Sequence, residues 1–406
     1  MWFAGIDVGG DRHVVAVVNE HGKTLVRATA FGEDAAGYAQ LRELLGEPGK
    51  VLVAMEATGH YWRNLFAFLA THGFSVALLN PLRTRRFAEE ELARTKTDAI
   101  DALGIARFAA QKRPAMTPVT EQLVDDLRET VRLREQLVAE LGDALRRLHR
   151  ALDLSFPEFT RHVRWLKGRL ATAILACYPT ARALADVSVR KLAALRYDGR
   201  NQVGASLARR VIEAAKSSVA QHHTEPYRLQ VRYACENIEL QRGRLTEIEN
   251  EIKRQLDAHE VGKLLTTIAG IGTQTAACLI GELGDLARFR DRGALASYVG
   301  VAPRLRQSGK RKTSRVPGVP LGNARLRHAL WMPTIIAVRF NPWLRAYHQR
   351  LLGAGKRPKV ALVACMRKLL TAVQSVARSR RPFVPFASSE SATPVAVSSL
   401  AEIAPS

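Results

Sequence analysis

Between residues 121 and 152, apolar side chains recur mostly every three or four positions (Leu123, Leu127, Val131, Leu137, Leu141, Leu145, Leu148, Leu152), with charges on the other faces. That period fits the 3.6-residue turn of an α-helix, so the stretch is expected to be one long amphipathic helix whose stripe must be buried. A second run of the same kind covers residues 227–259. The middle of the chain therefore reads as two long helices joined by a helical insertion over residues 165–215. Packing core is the ordinary use of such stripes, and a coiled coil would also join two subunits.

The patterning before this centre is different. WFAGIDV is a short apolar run, HVVAVVNEHGKTLVRATAF reads as a hairpin turning at residues 20–22, and VLVAME is another strand. A helix-like stretch at residues 61–72 precedes FSVALLN. Three strands, a helix, a strand, a helix and a strand make the order of a ribonuclease-H-like sheet. The expected class is thus α/β plus α: an N-terminal ribonuclease-H-like domain at 1–115, a long-helix or coiled-coil region at 116–260, and a mainly helical domain at 261–386. The Ser-, Ala- and Pro-rich residues 387–406 read as a disordered tail.

Charge narrows the partner. The formal net charge is +23 and the sequence pI about 10.5, which points to a polyanion. Between Asp291 and Glu390 there is no Asp or Glu, while twenty Lys or Arg fall in that interval. An ordinary surface mixes both signs, so a domain-length stretch without a carboxylate favours nucleic-acid contact over a solvated face. An anionic membrane is the weaker alternative: no run approaches ~18 consecutive apolar residues, and the start lacks a basic region before an apolar one. A cytosolic protein without membrane contact is expected. Cys177, Cys235, Cys278 and Cys365 lie far apart, which argues against a zinc site or disulfide framework and for buried, reduced thiols.

Five segments carry chemistry. In Gly5-Ile6-Asp7-Val8-Gly9-Gly10 an acid ends a strand in an uncrowded loop, where it can hold a metal against a phosphate or make a turn; actin-like ATPases share such a start. Glu56 closes the apolar strand of Val53-Ala54-Met55-Glu56, a costly position unless something cationic meets it. In Thr97-Asp98-Ala99-Ile100-Asp101 the two acids share one helical face and repel without a cation between them; alternatively Thr97 or Asp98 caps a helix and Asp101 favours its positive end. Together Asp7, Glu56, Asp98 and Asp101 form a set suited to Mg²⁺ or Mn²⁺ and phosphoryl transfer. Gly270-Ile271-Gly272 between two short helices resembles a helix-hairpin-helix, whose backbone N–H groups approach phosphate. Last, Ser308 lies in a basic loop with Arg304, Arg306, Lys310, Arg311 and Lys312, followed by Gly322-Asn323-Ala324-Arg325-Leu326-Arg327. Such a serine is usually a turn residue, yet cations around a hydroxyl would hold a scissile phosphate.

In this order the segments resemble the DEDD-type transposases of insertion-sequence family one-ten, the bridge-RNA-guided recombinases. The resemblance covers residues 3–386 and rests on G-I-D-V, M-E-A-T-G, K-T-D-x-x-D-A, G-I-G, Y-x-G-x-A-P-R-x-x-Q-S-G and G-N-x-R-L-R. It implies a RuvC-like N-terminal domain with metal-binding carboxylates at Asp7, Glu56, Asp98 and Asp101, and a nucleophilic serine at Ser308. It also implies dimerisation through a coiled coil, assembly to a tetramer, and pairing of one subunit's carboxylates with another's serine. Donor and target DNA would be chosen by a non-coding guide RNA. The long middle section goes beyond the family's minimal form, and its role is open. A resolvase or nuclease using metal-activated water, an actin-like ATPase and an architectural DNA binder are the rival readings. Ser308 separates the first from a recombinase.

Overall fold

The computed structural model describes residues 1–90, 97–302 and 322–384, with the backbone of two short strands at 306–308 and 311–314. The chain divides into two compact units, Met1–Thr120 and Glu121–Ser406.

The first unit runs β1 (Trp2–Asp7), β2 (Arg12–Val18), β3 (Thr24–Gly32), α1 (Ala35–Leu45), β4 (Val51–Glu56), α2 (Trp62–Thr71), β5 (Ser75–Leu79), α3 (Pro81–Glu90) and α4 (Asp98–Lys112). The three strands, helix, strand, helix and strand expected from the pattern are all present. They form one mixed sheet in the order β3-β2-β1-β4-β5, with β1 antiparallel to β2 and parallel to β4, and β4 parallel to β5. At the hairpin between β2 and β3 the Asn19 carboxamide oxygen accepts the N–H groups of His21 and Lys23, and Gly22 takes the positive φ of 77°.

The centre of the sheet is buried on both faces, which is why β1 and β4 read as unbroken apolar runs rather than alternating ones. Ala4, Ile6, Val53 and Met55 pack with Leu41 of α1 and with Leu65 and Leu69 of α2. Phe3, Leu52, Ala54 and Ala77 face the other way and pack with Ile105, Ala106 and Ala109 of α4.

In the second unit α5 (Gln122–Ser155) is followed by the shorter α6 (Phe159–His162), α7 (Arg169–Cys177), α8 (Ala181–Ala185), α9 (Val189–Ala193) and α10 (Ala205–Lys216), and then by α11 (Glu225–Ala258). Both long helices and the helical insertion are therefore as expected. The remainder is α12 (Glu260–Leu265), α13 (Thr273–Leu283), α14 (Arg292–Val299), the strand pair β6 (Arg306–Ser308) and β7 (Arg311–Ser314), α15 (Ala324–Phe340), α16 (Pro342–Gly353) and α17 (Pro358–Ser379).

The long stripes are core. Leu148 and Leu152 of α5 meet Val231 and Ile238 of α11 in a cluster closed by the insertion. At the other end of the same two helices, Leu127, Val131, Ile252 and Leu256 join a cluster with α13, α15 and α17. Among the described residues α17 is the one helix long and apolar enough to cross a membrane by length and composition; half of that window is buried, and Cys365, Leu369 and Val373 lie in the core. All four cysteines are free thiols, but Cys177 is exposed rather than buried because it ends α7 at the rim of its cluster. The tail at 387–406 lies outside the described residues.

Candidate active site and nucleic-acid interface

Strand register brings Asp7 and Glu56 together. Neighbouring strands β1 and β4 run parallel with Ile6 opposite Met55, so the next residues, Asp7 and Glu56, end adjacent strands side by side. Alternation then fixes their direction: Phe3 and Gly5 precede Asp7 on one face of β1, as Leu52 and Ala54 precede Glu56 on β4. This is the face that carries α4.

Gly5 sets how close α4 comes. A Cβ at this position would lie 2.2 Å from both the Ala102 carbonyl oxygen and the Ala106 nitrogen, so the helix backbone rests directly on β1. Asp98 and Asp101 occupy the first turn of the same helix. Thr97 caps it, its Oγ1 accepting the Ile100 N–H at 3.3 Å, so the capping alternative is realised by Thr97 and both aspartates lie at the positive end of the helix dipole. Among the described residues, Glu56 has hydroxyls rather than a cation as its hydrogen-bond partners. Its Oε1 lies 2.5 Å from the buried Thr84 hydroxyl of α3, which also lies 3.0 Å from the Pro81 carbonyl, and Thr58 donates to Oε2 at 3.4 Å. Thr84 was not singled out by the sequence, since a threonine 28 residues from its partner carries no local signal.

All-oxygen donors of this kind suit a hard divalent cation. Among the described residues no three Asp, Glu, His or Cys side chains are gathered closely enough to hold a metal ion. The fold thus unites Asp7 with Glu56 and lays the helix of Asp98 and Asp101 on their face, without displaying a complete ligand group.

In the second unit, the segment holding Ser308 is clasped at both of its described ends. Asn323 N–H donates to the Tyr298 carbonyl at 2.8 Å, and Arg327 Nη1 donates to the Val299 carbonyl at 3.0 Å. Gly322, at φ 123°, lies so close to Gly300 that a Cβ there would sit 2.6 Å from the Gly300 backbone. The Asn323 side chain caps α15 by accepting from Leu326 N–H and donates to Glu282 at 3.0 Å. Ser308 ends β6 and pairs with Arg311 of β7. Arg304 and Lys310 lie outside the described residues, as do the side chains of Arg306, Ser308, Arg311 and Lys312.

Glu282 of α13 is the hub of this clasp and another residue that sequence reasoning missed. Its nearly buried carboxylate accepts from Arg132 at 2.9 Å and from Asn323, and faces Arg325 at 3.5 Å. Burial alone would raise its pKa, but the Arg132 and Asn323 hydrogen bonds and the two guanidinium charges bring it below the ordinary carboxylate value. Arg325 also pairs with Glu135 at 3.1 Å. Arg325 and Arg327, expected at phosphates, are thus both engaged inside the chain. Gly270, at φ 99°, owes its residue type to packing: a Cβ would come within 2.9 Å of the Pro333 oxygen and the Ala337 nitrogen of α15. Gly272 precedes α13 with open space where a Cβ would point.

The chain is also similar to known proteins. Residues 4–157 match a family described as Transposase, of the DEDD type of IS110, and residues 262–349 match the family described as Transposase IS116/IS110/IS902. The insertion element IS116 44.8 kDa protein of Streptomyces clavuligerus is 27% identical over 94% of this chain and 96% of its own length. The pilin gene-inverting protein of Moraxella bovis is 28% identical over 81% of this chain and 80% of its own. Among known structures, T. thermophilus RuvC in complex with a Holliday junction substrate aligns with 29% of this chain and 99% of its own at 18% identity and a TM-score of 0.22. With both family matches in their expected order, and relatives aligned along nearly the whole chain, this protein belongs to the IS110 family of transposases.

Proposed function

We propose that this transposase cuts and rejoins DNA with a carboxylate centre of Asp7, Glu56, Asp98 and Asp101 in a RuvC-like domain at 1–115 and with Ser308 as nucleophile. The observation that carries the reading is the shared register and face of Asp7 and Glu56 beneath the helix that begins with Asp98. These four would hold Mg²⁺ or Mn²⁺, which when bound stabilises charge on the phosphoryl oxygens. Thr84 keeps the Glu56 carboxylate oriented by hydrogen bonding. The Ser308 hydroxyl attacks the phosphorus, a serine–phosphate bond forms as a deoxyribose–phosphate bond breaks, and the proton passes to the leaving oxygen. Attack on the phosphoserine by the hydroxyl of another strand reverses these steps and restores the serine, so phosphodiester energy is conserved without a further reactant. The clasp of Asn323 and Arg327 on residues 298–300 holds the serine segment by its ends.

Donor and target DNA are the substrates, and a guide RNA pairs with them. Backbone N–H groups at Gly270 and Gly272 and the cations Arg304, Arg306, Lys310, Arg311 and Lys312 contact phosphate. A dimer joined through the 116–260 region assembles to a tetramer that brings one subunit's carboxylates to another's serine. Strand exchange on supercoiled DNA tests the carboxylate centre: Asp7→Asn, Glu56→Gln, Asp98→Asn and Asp101→Asn should each abolish it while leaving the fold intact. Full activity in two or more of them, or in excess EDTA, would sink the assignment.

A further inference from the structure

The helical insertion, to which the transposase reading gives no task, carries an exposed tryptophan among unpaired cations. Trp165 is 66% exposed, although the residues flanking it, Val163 and Leu166, are buried in the core of the insertion. Those two anchors fix the loop and leave the indole outside. The ring is also held in place: a Cβ on Gly168 would come 2.7 Å from Trp165 Cδ1, so the indole lies against bare backbone, and Lys167 Nζ sits 4.6 Å from the ring centroid. The Lys167 carbonyl accepts a hydrogen bond from Arg242 of α11 at 2.9 Å, which ties the loop to the long helix. An aromatic ring fixed in this way loses little conformational entropy on binding.

The indole borders an open cleft of about 500 Å³ that it shares with Arg161, Arg164, Arg169, Leu170 and Tyr197. Residues 159–171 contain no Asp or Glu. Among the described residues, none of Arg161, Arg164, Lys167 and Arg169 makes an ion pair within 4.0 Å; Glu158 acts on Arg161, and Asp198 and Glu239 on Arg169, only through longer-range charge. A fixed aromatic ring beside several uncommitted guanidinium groups is the arrangement that stacks an unpaired base and neutralises its phosphates. A duplex offers the phosphates but keeps its base faces stacked on each other.

We propose that the Trp165 cleft binds an unpaired nucleotide of a single-stranded nucleic acid, with the base on the indole and the adjoining phosphates on Arg161, Arg164 and Arg169. The site is independent of the carboxylates and of Ser308, and it gives the insertion a task that the strand-transfer chemistry does not supply.

Fluorescence anisotropy with the full-length protein tests this, using labelled oligouridylate, oligothymidylate of the same length and a DNA duplex at one salt concentration. Trp165→Ala should weaken single-strand binding roughly 5- to 150-fold and leave duplex binding unchanged, whereas Trp165→Phe, which keeps a π face, should retain most of the affinity. Arg164→Ala with Arg169→Ala should weaken the same complexes and flatten their salt dependence. A loss on oligouridylate alone names RNA as the occupant, and a loss on both names the unpaired base itself. Unchanged single-strand affinity in Trp165→Ala, an equal loss on the duplex, or an altered sedimentation coefficient pointing to a subunit contact at Trp165 would each overturn the proposal.

Discussion

Replacing Gly5 by alanine should disable strand transfer without touching an acid. The added Cβ would lie 2.2 Å from two backbone atoms of α4, the Ala102 oxygen and the Ala106 nitrogen. Ordinary contact begins near 3.4 Å, so the helix must retreat by about 1.2 Å or β1 must bend by as much. Neither neighbour is a flexible side chain that could swing aside. A misplacement of about 1 Å in a catalytic group can cost roughly 10²-fold in rate, and overpacking of this kind costs about 1–3 kcal/mol of stability. Gly104→Ala is the matched control. It adds the same methyl group to the interior of α4 where nothing lies within 4 Å, so it should stabilise the helix by about 0.8–1.0 kcal/mol and leave activity unchanged. Thermal unfolding followed by circular dichroism, beside a strand-exchange assay on supercoiled DNA, separates the two effects. A folded Gly5→Ala protein with activity close to the parent would refute the argument that α4 must sit this close to β1, and so would a Gly104→Ala protein equally impaired.

Glu282→Gln should destabilise the second unit by about 1.5–3 kcal/mol, the range for hydrogen bonds to charged groups, because its carboxylate serves Arg132, Asn323 and Arg325 together. Its pKa is lower folded than the ordinary 4.5, so this contribution is complete above the unfolded value and fades as pH falls through the folded one. The parent should therefore lose stability on acidification over that window more steeply than Glu282→Gln; parallel acid limbs would contradict the hub. DNA affinity should fall roughly 10³- to 10⁵-fold between about 50 and 200 mM salt if about 6–10 phosphates are contacted, and a flat dependence would remove phosphate contact as its main source.

What was legible in the sequence was what short-range periodicity encodes. The stripe from Leu123 to Leu152 and the apolar run of VLVAME announced their elements because a helix or strand buries residues at its own period. The four acids could be picked out because each stands at an element's end. That Asp7 and Glu56 lie side by side depends on pairing between strands 49 residues apart in register, Ile6 with Met55 and its neighbours, which no local pattern contains. Thr84 and Glu282 escaped for the same reason: their partners are remote in sequence and their residue types are common on surfaces. Composition also could not show the internal contacts of Arg325 and Arg327, which sit in an acid-free stretch: the carboxylates that engage Arg325 come from α5 and α13, earlier in the chain, and Arg327 donates to the Val299 carbonyl.

The most direct test of the proposed mechanism is to trap the reaction in denaturant and identify the peptide joined to DNA. A recombinase that conserves phosphodiester energy through a serine should yield a protein–DNA adduct mapped to Ser308. Ser308→Ala should bind DNA, form no adduct and recombine nothing, while alanine at Ser297, Thr313 or Ser314 leaves substantial activity. Recombination by Ser308→Ala, or cleavage that leaves free ends and no adduct under any trapping condition, would contradict the account and leave a metal-dependent resolvase in its place.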